Sequence, residues 1–190
     1  NLTEAAVLDG FTISGGKGSS GGYGYGGGMF NNTCSPKLGN IIFINNSATG
    51  GGGGMFNNSY SSPTLTNVVF VNNSVSNGYG GGMNNNNHCS PTLTNVAFIG
   101  NTSSMPGGAI EDIISSPTLI NVTFSGNSAG SIGGGGMDNY SNSSPRLTNC
   151  MFWGNTGVIG PDIYQEDRSS IITYSYTQTS QSGTGNLAGT

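Results

Sequence analysis

The sequence predicts an all-β fold, a right-handed parallel β-helix in which about seven coils of roughly 27 residues stack along one axis. Two markers support this prediction because they recur with the same period. One is a Pro-x-Leu motif whose prolines are 26 to 28 residues apart, namely Pro36, Pro63, Pro91, Pro117 and Pro145. The other is a glycine-rich run that closes on a large aliphatic residue, at Met29, Met55, Met83, Ile110, Met137 and Ile163.

The residues inside each repeat are typical of strands and turns. Short runs of β-branched and aromatic residues are bounded by Gly, Asn, Ser and Pro, and no apolar face recurs at helical spacing. A solenoid follows because one coil cannot bury its inward residues without neighbours above and below it. Right-handed coiling is expected because parallel crossover connections have that hand.

The repeats extend over nearly the whole chain, so we expect a single β-helix domain over residues 1–190. Residues 1–28 form a first coil with a glycine-rich loop, residues 29–163 form the regular repeats, and residues 164–190 form a degenerate last coil and tail. Since the chain begins at Asn1 rather than Met, we expect a processed product or a piece of a longer parent chain.

Inward positions are predicted by aligning the repeats. Three stacks form the core, one of leucine, one of phenylalanine and one of methionine or isoleucine. Their members include Leu65, Leu93, Leu119, Phe70, Phe98, Phe124, Met55, Met83 and Met137.

Two asparagine ladders are also predicted, because an amide can bond its twin across the roughly 4.8 Å between neighbouring strands. One ladder lies at the bend after the leucine stack, at Asn40, Asn67, Asn95, Asn121 and Asn149. The other follows the phenylalanine stack, at Asn46, Asn73, Asn101, Asn127 and Asn155.

Composition excludes some classes of function. The chain of 190 residues has 35 Gly and only 4 Lys+Arg against 8 Asp+Glu, a net charge of −4. It therefore lacks the cationic surface that nucleic-acid binding requires. No apolar run reaches the roughly 18 to 20 residues of a membrane span. Cys34, Cys89 and Cys150 are an odd number without metal-ligand spacing, so they indicate neither a disulfide framework nor a zinc site.

The repeat resembles that of the polymorphic outer membrane proteins, whose hallmarks are Gly-Gly-x-Ile and Phe-x-x-Asn. Residues 107–110 match the first literally, with variants at 27–30, 53–56 and 81–84. Phe-x-x-Asn occurs at residues 43–46, 70–73, 98–101, 124–127 and 152–155. The resemblance implies an exported bacterial β-helix at the cell surface or outside the cell, often adhesive.

The residue after each core Met or Ile is expected to point outward. These residues form a column of Phe30, Phe56, Asn84, Glu111, Asp138 and Tyr164. Glu111 and Asp138 then lie on adjacent coils, roughly 5 Å apart, a spacing that suits a retaining glycosidase. A calcium site with Asp112 and Asn139 is a second interpretation, and a solvated acidic pair is a third. No cofactor is expected otherwise.

The aromatic members of this column, Phe30, Phe56 and Tyr164, together with the loop residues Tyr23, Tyr25 and Tyr79, are candidates for stacking against sugars. They are equally interpreted as residues covered by a neighbouring subunit or by the glycine-rich loops. A carbohydrate-binding module, or a polysaccharide lyase or hydrolase, is therefore the alternative to a non-enzymatic structural or adhesive protein.

The charge-poor surface and the unpaired edges of a solenoid favour association. Subunits that stack head to tail without closing form a filament, and further coils of a longer chain serve the same purpose. Glycosylation would also solubilise the surface. The Asn-x-Ser/Thr triplets lie at Asn1, Asn31, Asn45, Asn57, Asn72, Asn101, Asn121, Asn139 and Asn142, although a chain this rich in Asn, Ser and Thr yields many by chance.

Overall fold

The computed structural model describes residues 6–19, 24–166 and 170–189, and in these ranges every regular element is a strand. The strands form three sheets, and all their pairings are parallel. The prediction of an all-β solenoid with a period of about 27 residues is confirmed.

Sheet 1 contains the strands from the Pro-x-Leu part of each repeat, and sheets 2 and 3 contain strands of two to four residues that follow it along the chain. Sheet 1 comprises Val7–Asp9, Thr12–Ser14, Lys37–Gly39, Ile42–Ile44, Thr64–Val71, Thr92–Ile99, Thr118–Ser125, Arg146–Thr148, Met151–Trp153, Ile171–Thr173, Tyr176–Thr177 and Leu187–Ala188. Sheet 2 comprises Lys17–Gly18, Ser47–Ala48, Ser74–Val75, Thr102–Ser103 and Ser128–Ala129. Sheet 3 comprises Met29–Asn32, Met55–Asn58, Met83–Asn86, Ile110–Ile113, Met137–Tyr140 and Ile163–Gln165.

The described chain makes about six turns rather than the expected seven. Sheet 3 has one strand per turn and contains six of them. After Ile163–Gln165 the described residues add strands to sheet 1 only, and the last of these is Leu187–Ala188. The seventh coil is therefore a part turn that covers one side of the solenoid.

The core lies between the three sheets and consists of stacks that run along the axis. Consecutive phenylalanine rings from Phe43 to Phe152 lie 4.3–5.2 Å apart between centroids, with interplanar angles of 3–7°. Leucines are in register from Leu38 to Leu147, and the methionine stack begins at Met29. Apart from half-buried Met29, these stacked side chains are almost fully buried.

The asparagine at each bend of sheet 1 has a left-handed backbone, with φ between 52° and 57°. Asparagine tolerates this conformation better than most residues. The side chains are exposed and form a ladder in which each amide donates to the preceding coil over 2.7–3.3 Å. At the first coil Asn40 donates to Asp9 at 2.8 Å.

We expect Asn95→Ala to cost about 1–2 kcal/mol, because it removes two ladder hydrogen bonds and leaves a Cβ-bearing residue at φ 55°. Asn95→Gly loses the same bonds without the backbone strain, so it should cost less. Urea unfolding measures the free energy of unfolding of both variants and shows which of them is less stable. An alanine variant at least as stable as the glycine variant would contradict this account.

A second ladder, after the phenylalanine stack, is buried. From Asn46 to Asn155 each side-chain amide donates to the Oδ1 of the next coil over 2.9–3.0 Å. The second amide hydrogen is donated to a backbone carbonyl, as from Asn73 to Phe43 at 2.9 Å. At the far end Asn155 donates to buried Asp162 at 3.2 Å. Every coil thus satisfies its buried amide through its neighbours.

Candidate functional site

The predicted outward column does not face solvent along its length. Phe56, Asn84, Glu111 and Asp138 are only 2–3% exposed, whereas Phe30 at the first turn is 50% exposed. The expectation of an exposed aromatic strip is therefore wrong for Phe56, and that of a solvated acidic pair is wrong. The column does point away from the core, but the loops that connect sheet 2 to sheet 3 fold over it.

Two of the covering loops make specific contacts with the column. The Tyr25 ring stacks on Phe56 with ring centroids 4.2 Å apart. The centroids of the Phe56 and Phe30 rings lie 5.6 Å apart. The backbone N–H of Gly134 donates to Asp138 Oδ2 at 2.9 Å. Tyr23, another candidate for sugar stacking, lies outside the described residues.

Between the loops and sheet 3 lies a cleft of about 520 Å³. Loop residues and outward residues of the last three sheet 3 strands line it, with the nearly buried Glu111 and Asp138 at its floor. Tyr164, the last member of the column, is half-buried there. The residues that line the cleft are Tyr79, Met105, Pro106, Glu111, Ile113, Ser131, Ile132, Asp138, Tyr140 and Tyr164.

Glu111 and Asp138 are paired in register on adjacent strands. Burial, followed by the charges of Asp138 and Asp112, raises the pKa of Glu111 well above its usual range. Burial also raises the pKa of Asp138, to about 6, although the hydrogen bond from Gly134 opposes this change. Both carboxyl groups therefore keep their protons to higher pH than an exposed acid does.

Glu111 Oε2 is buried and has no hydrogen-bond partner in the described part of the chain. A buried acceptor without a donor carries a desolvation cost. Glu111 lines the cleft, so a donor that satisfies this oxygen would have to come from the cleft side.

Asp112 points to the opposite face of the same strand and belongs to a third ladder, which was not predicted from the sequence. This ladder begins with Asn31, and its amides donate over 2.8 Å from Asn31 to Asn57, from Asn57 to Asn85 and from Asn85 to Asp112 Oδ1. The next residue in register is Asn139. Asp112 Oδ2 and Asn139 Oδ1 are both buried and unpartnered among the described residues.

The repeating pattern of a core residue, any residue and then Asn or Asp contained the signal for this third ladder. Strand alternation puts the first and third of these positions on the same side. Burial raises the pKa of Asp112 well above its usual range, the hydrogen bond from Asn85 opposes this, and the charge of Asp138 adds to it.

The calcium interpretation does not fit this arrangement. Glu111 and Asp138 line the cleft, whereas Asp112 and Asn139 lie in the ladder on the other face of the strands. The described residues contain no group of three or more His, Cys, Asp or Glu that could hold a metal ion.

The three cysteines are free and buried. Cys34 and Cys89 occupy one turn column with Ser61 between them, because Cys34 N–H donates to Ser61 Oγ at 3.1 Å. The neighbouring Tyr60 ring stacks on His88 with centroids 5.1 Å apart. Burial raises the pKa of the Cys89 and Cys150 thiols to about 11, so both stay protonated at neutral pH.

The structure divides the candidate glycosylation sites by exposure. Asn31, Asn57, Asn101 and Asn139 are buried, so folding makes them inaccessible to glycosylation. Asn1 lies outside the described residues. The exposed sites are Asn45, Asn72, Asn121 and Asn142.

No protein-family profile matches the chain, and no curated protein and no solved structure shows significant similarity to it. Among the described residues no helix is long and apolar enough to cross a membrane.

Proposed function

We propose that this chain is a non-enzymatic structural or adhesive protein of a bacterial surface or the extracellular space. The observation that carries the proposal is that its buried polar groups are organised as ladders along the axis. In each ladder the hydrogen bonds join one coil to the next. The molecule is therefore a rod that is held together by interactions between successive coils. The resemblance to polymorphic outer membrane protein repeats supports the extracellular bacterial setting.

The two ends of sheet 3 support continuation of the stack. Met29–Asn32 and Ile163–Gln165 each pair with one neighbour in the described structure, so each has an open strand edge. Phe30 adds a half-exposed ring to the first of these strands. Another copy of the chain, or further coils of a longer parent, would pair with such an edge and cover the ring.

We expect Phe30→Lys to reduce assembly, because it places a charge on the open end strand. The matched control is Ile99→Lys, which adds the same charge to an exposed side chain in the middle of the rod. Sedimentation velocity and negative-stain electron microscopy should show filaments for the parent and the control and shorter particles for Phe30→Lys. Monodisperse monomers of the parent at high concentration would contradict end-to-end assembly.

Carbohydrate binding or hydrolysis is the second candidate function, and one observation favours it. Glu111 and Asp138 lie on adjacent coils beside a cleft with tyrosine rings, and burial raises the pKa of both, which suits a general acid beside a second carboxyl group. Titration of the protein with a saccharide tests this candidate, because a carbohydrate-binding cleft should bind the saccharide.

A further inference from the structure

The cleft over sheet 3 has an unbalanced set of acidic groups. Glu111 and Asp138 line it, and Asp112 lies directly behind them on the same strand as Glu111. None of the described residues that line the cleft is basic. Buried carboxyl groups are normally paired with a cation or a set of donors, and these lack a cation.

The floor of the cleft presents an acceptor without a donor. Glu111 is 2% exposed and its Oε2 has no partner in the described structure. Asp138, one strand away in register, uses Oδ2 to accept from Gly134. A ligand that reaches the floor therefore meets two carboxyl groups that favour a donor, and favour a positive charge still more.

The walls of the cleft are aromatic and aliphatic. Tyr79, Tyr140 and Tyr164 provide rings, and ring faces attract organic cations. Met105, Pro106, Ile113 and Ile132 provide apolar contact for a hydrocarbon chain. A strongly hydrated metal ion gains little from such walls, whereas an alkylammonium ion matches both walls and floor.

We propose that the cleft binds a small organic ammonium ion, a primary amine on a short hydrocarbon chain. Its N–H groups donate to Glu111 Oε2 and to Asp138, while its methylene groups pack against the tyrosine and aliphatic walls. A saccharide hydroxyl would also donate to Glu111, but it would leave the acidic pair without a counter-charge. The charge balance of the site therefore favours the amine.

Binding of a cation is coupled to protons. A positive charge between the two carboxyl groups favours their ionised forms, so complex formation releases protons from a site that is partly protonated when empty. The affinity for the amine should consequently be higher at pH 7.5 than at pH 5, since acid protonates the carboxyl groups that the cation needs.

The test is calorimetric titration of the whole chain with n-butylamine, n-butanol and a methyl glucoside at both pH values. We expect saturable binding of n-butylamine at pH 7.5, at least tenfold tighter than that of n-butanol, and weaker at pH 5. Titrations in two buffers of different ionisation enthalpy should reveal the released protons. Binding of the glucoside without binding of n-butylamine, or equal affinity for n-butanol, would overturn the proposal.

Variants locate the site. Glu111→Gln with Asp138→Asn removes both charges with little change of shape, and it should weaken n-butylamine binding at least tenfold. The control is Asp9→Asn, which removes an exposed carboxylate of the first coil and should leave binding unchanged. Thermal melting checks that each variant is folded, and unchanged amine affinity in the folded double variant contradicts the assignment.

An alkylammonium group can come from a free amine or from a lysine side chain, and a second ligand distinguishes them. Nα-acetyl-lysine amide presents the same ammonium on a peptide unit. Binding of both compounds indicates a cleft that accepts a lysine side chain, whereas binding of n-butylamine alone indicates a free small amine. Failure of both rejects the proposal without bearing on whether the rod assembles.

Discussion

Asn101→Ala is expected to destabilise the solenoid by about 3–5 kcal/mol, because the truncation leaves several buried polar groups without hydrogen-bond partners. Asn101 Oδ1 accepts from both the backbone and the side chain of Asn73, at 3.0 and 2.9 Å. Its Nδ2 donates to the Phe70 carbonyl and to Asn127 Oδ1. An alanine in its place satisfies none of these partners.

Urea unfolding of Asn101→Ala measures this loss, and Asn95→Ala from the same coil is its control. Both variants remove one asparagine from a ladder, but Asn95 is exposed and water can replace its partners. Losses of equal size in the two variants would contradict the view that the buried ladder holds the coils together. Loss of the folded signal in the absence of urea would agree with it.

Asp112→Asn is expected to stabilise the protein by about 1–3 kcal/mol at pH 8, because it supplies the donor missing from the third ladder. Asn85 already donates to Asp112 Oδ1, while Asp112 Oδ2 and Asn139 Oδ1 lie unpartnered on registered residues. An asparagine at this position keeps the acceptor and adds an amide that can donate to Asn139, as in the preceding coils.

The pH dependence of stability follows from the direction in which folding shifts the pKa values of the buried acids. Glu111, Asp112 and Asp138 all have pKa values in the folded protein above those of the unfolded chain. The folded state therefore binds more protons from about pH 4 up to the folded pKa values, of which that of Asp138 is about 6. Across this window the free energy of unfolding falls as pH rises.

Thermal or urea unfolding from pH 4 to pH 8 tests this dependence. The parent should lose stability as pH rises, and Asp112→Asn should show a shallower slope and converge with the parent near pH 4, where Asp112 is protonated. A parent whose stability rises between pH 5 and pH 8 would contradict the assignment of buried, protonation-prone acids.

The periodic part of this structure could be predicted from the sequence because each stack and ladder repeats its residue type in every coil. The repeat spacing alone predicts that Phe70, Phe98 and Phe124 stack on one another. The cleft could not be predicted in this way, since its covering residues Tyr79 and Pro106 occupy loops that differ from coil to coil. Strand alternation indicates the side on which Glu111 lies, but it does not tell whether a loop covers that side.

The buried ladder from Asn46 to Asn155 has the same orientation in every coil, with each amide donating toward the later coil. This buried ladder therefore has a direction, and its donors point toward the later coils, whereas those of the exposed ladder point toward the earlier coils. Two such rods laid head to head would oppose like groups, whereas head-to-tail contact continues the sequence of donors and acceptors. Growth by stacking would consequently produce a fibre with two chemically different tips, and its length would change by one subunit at a time.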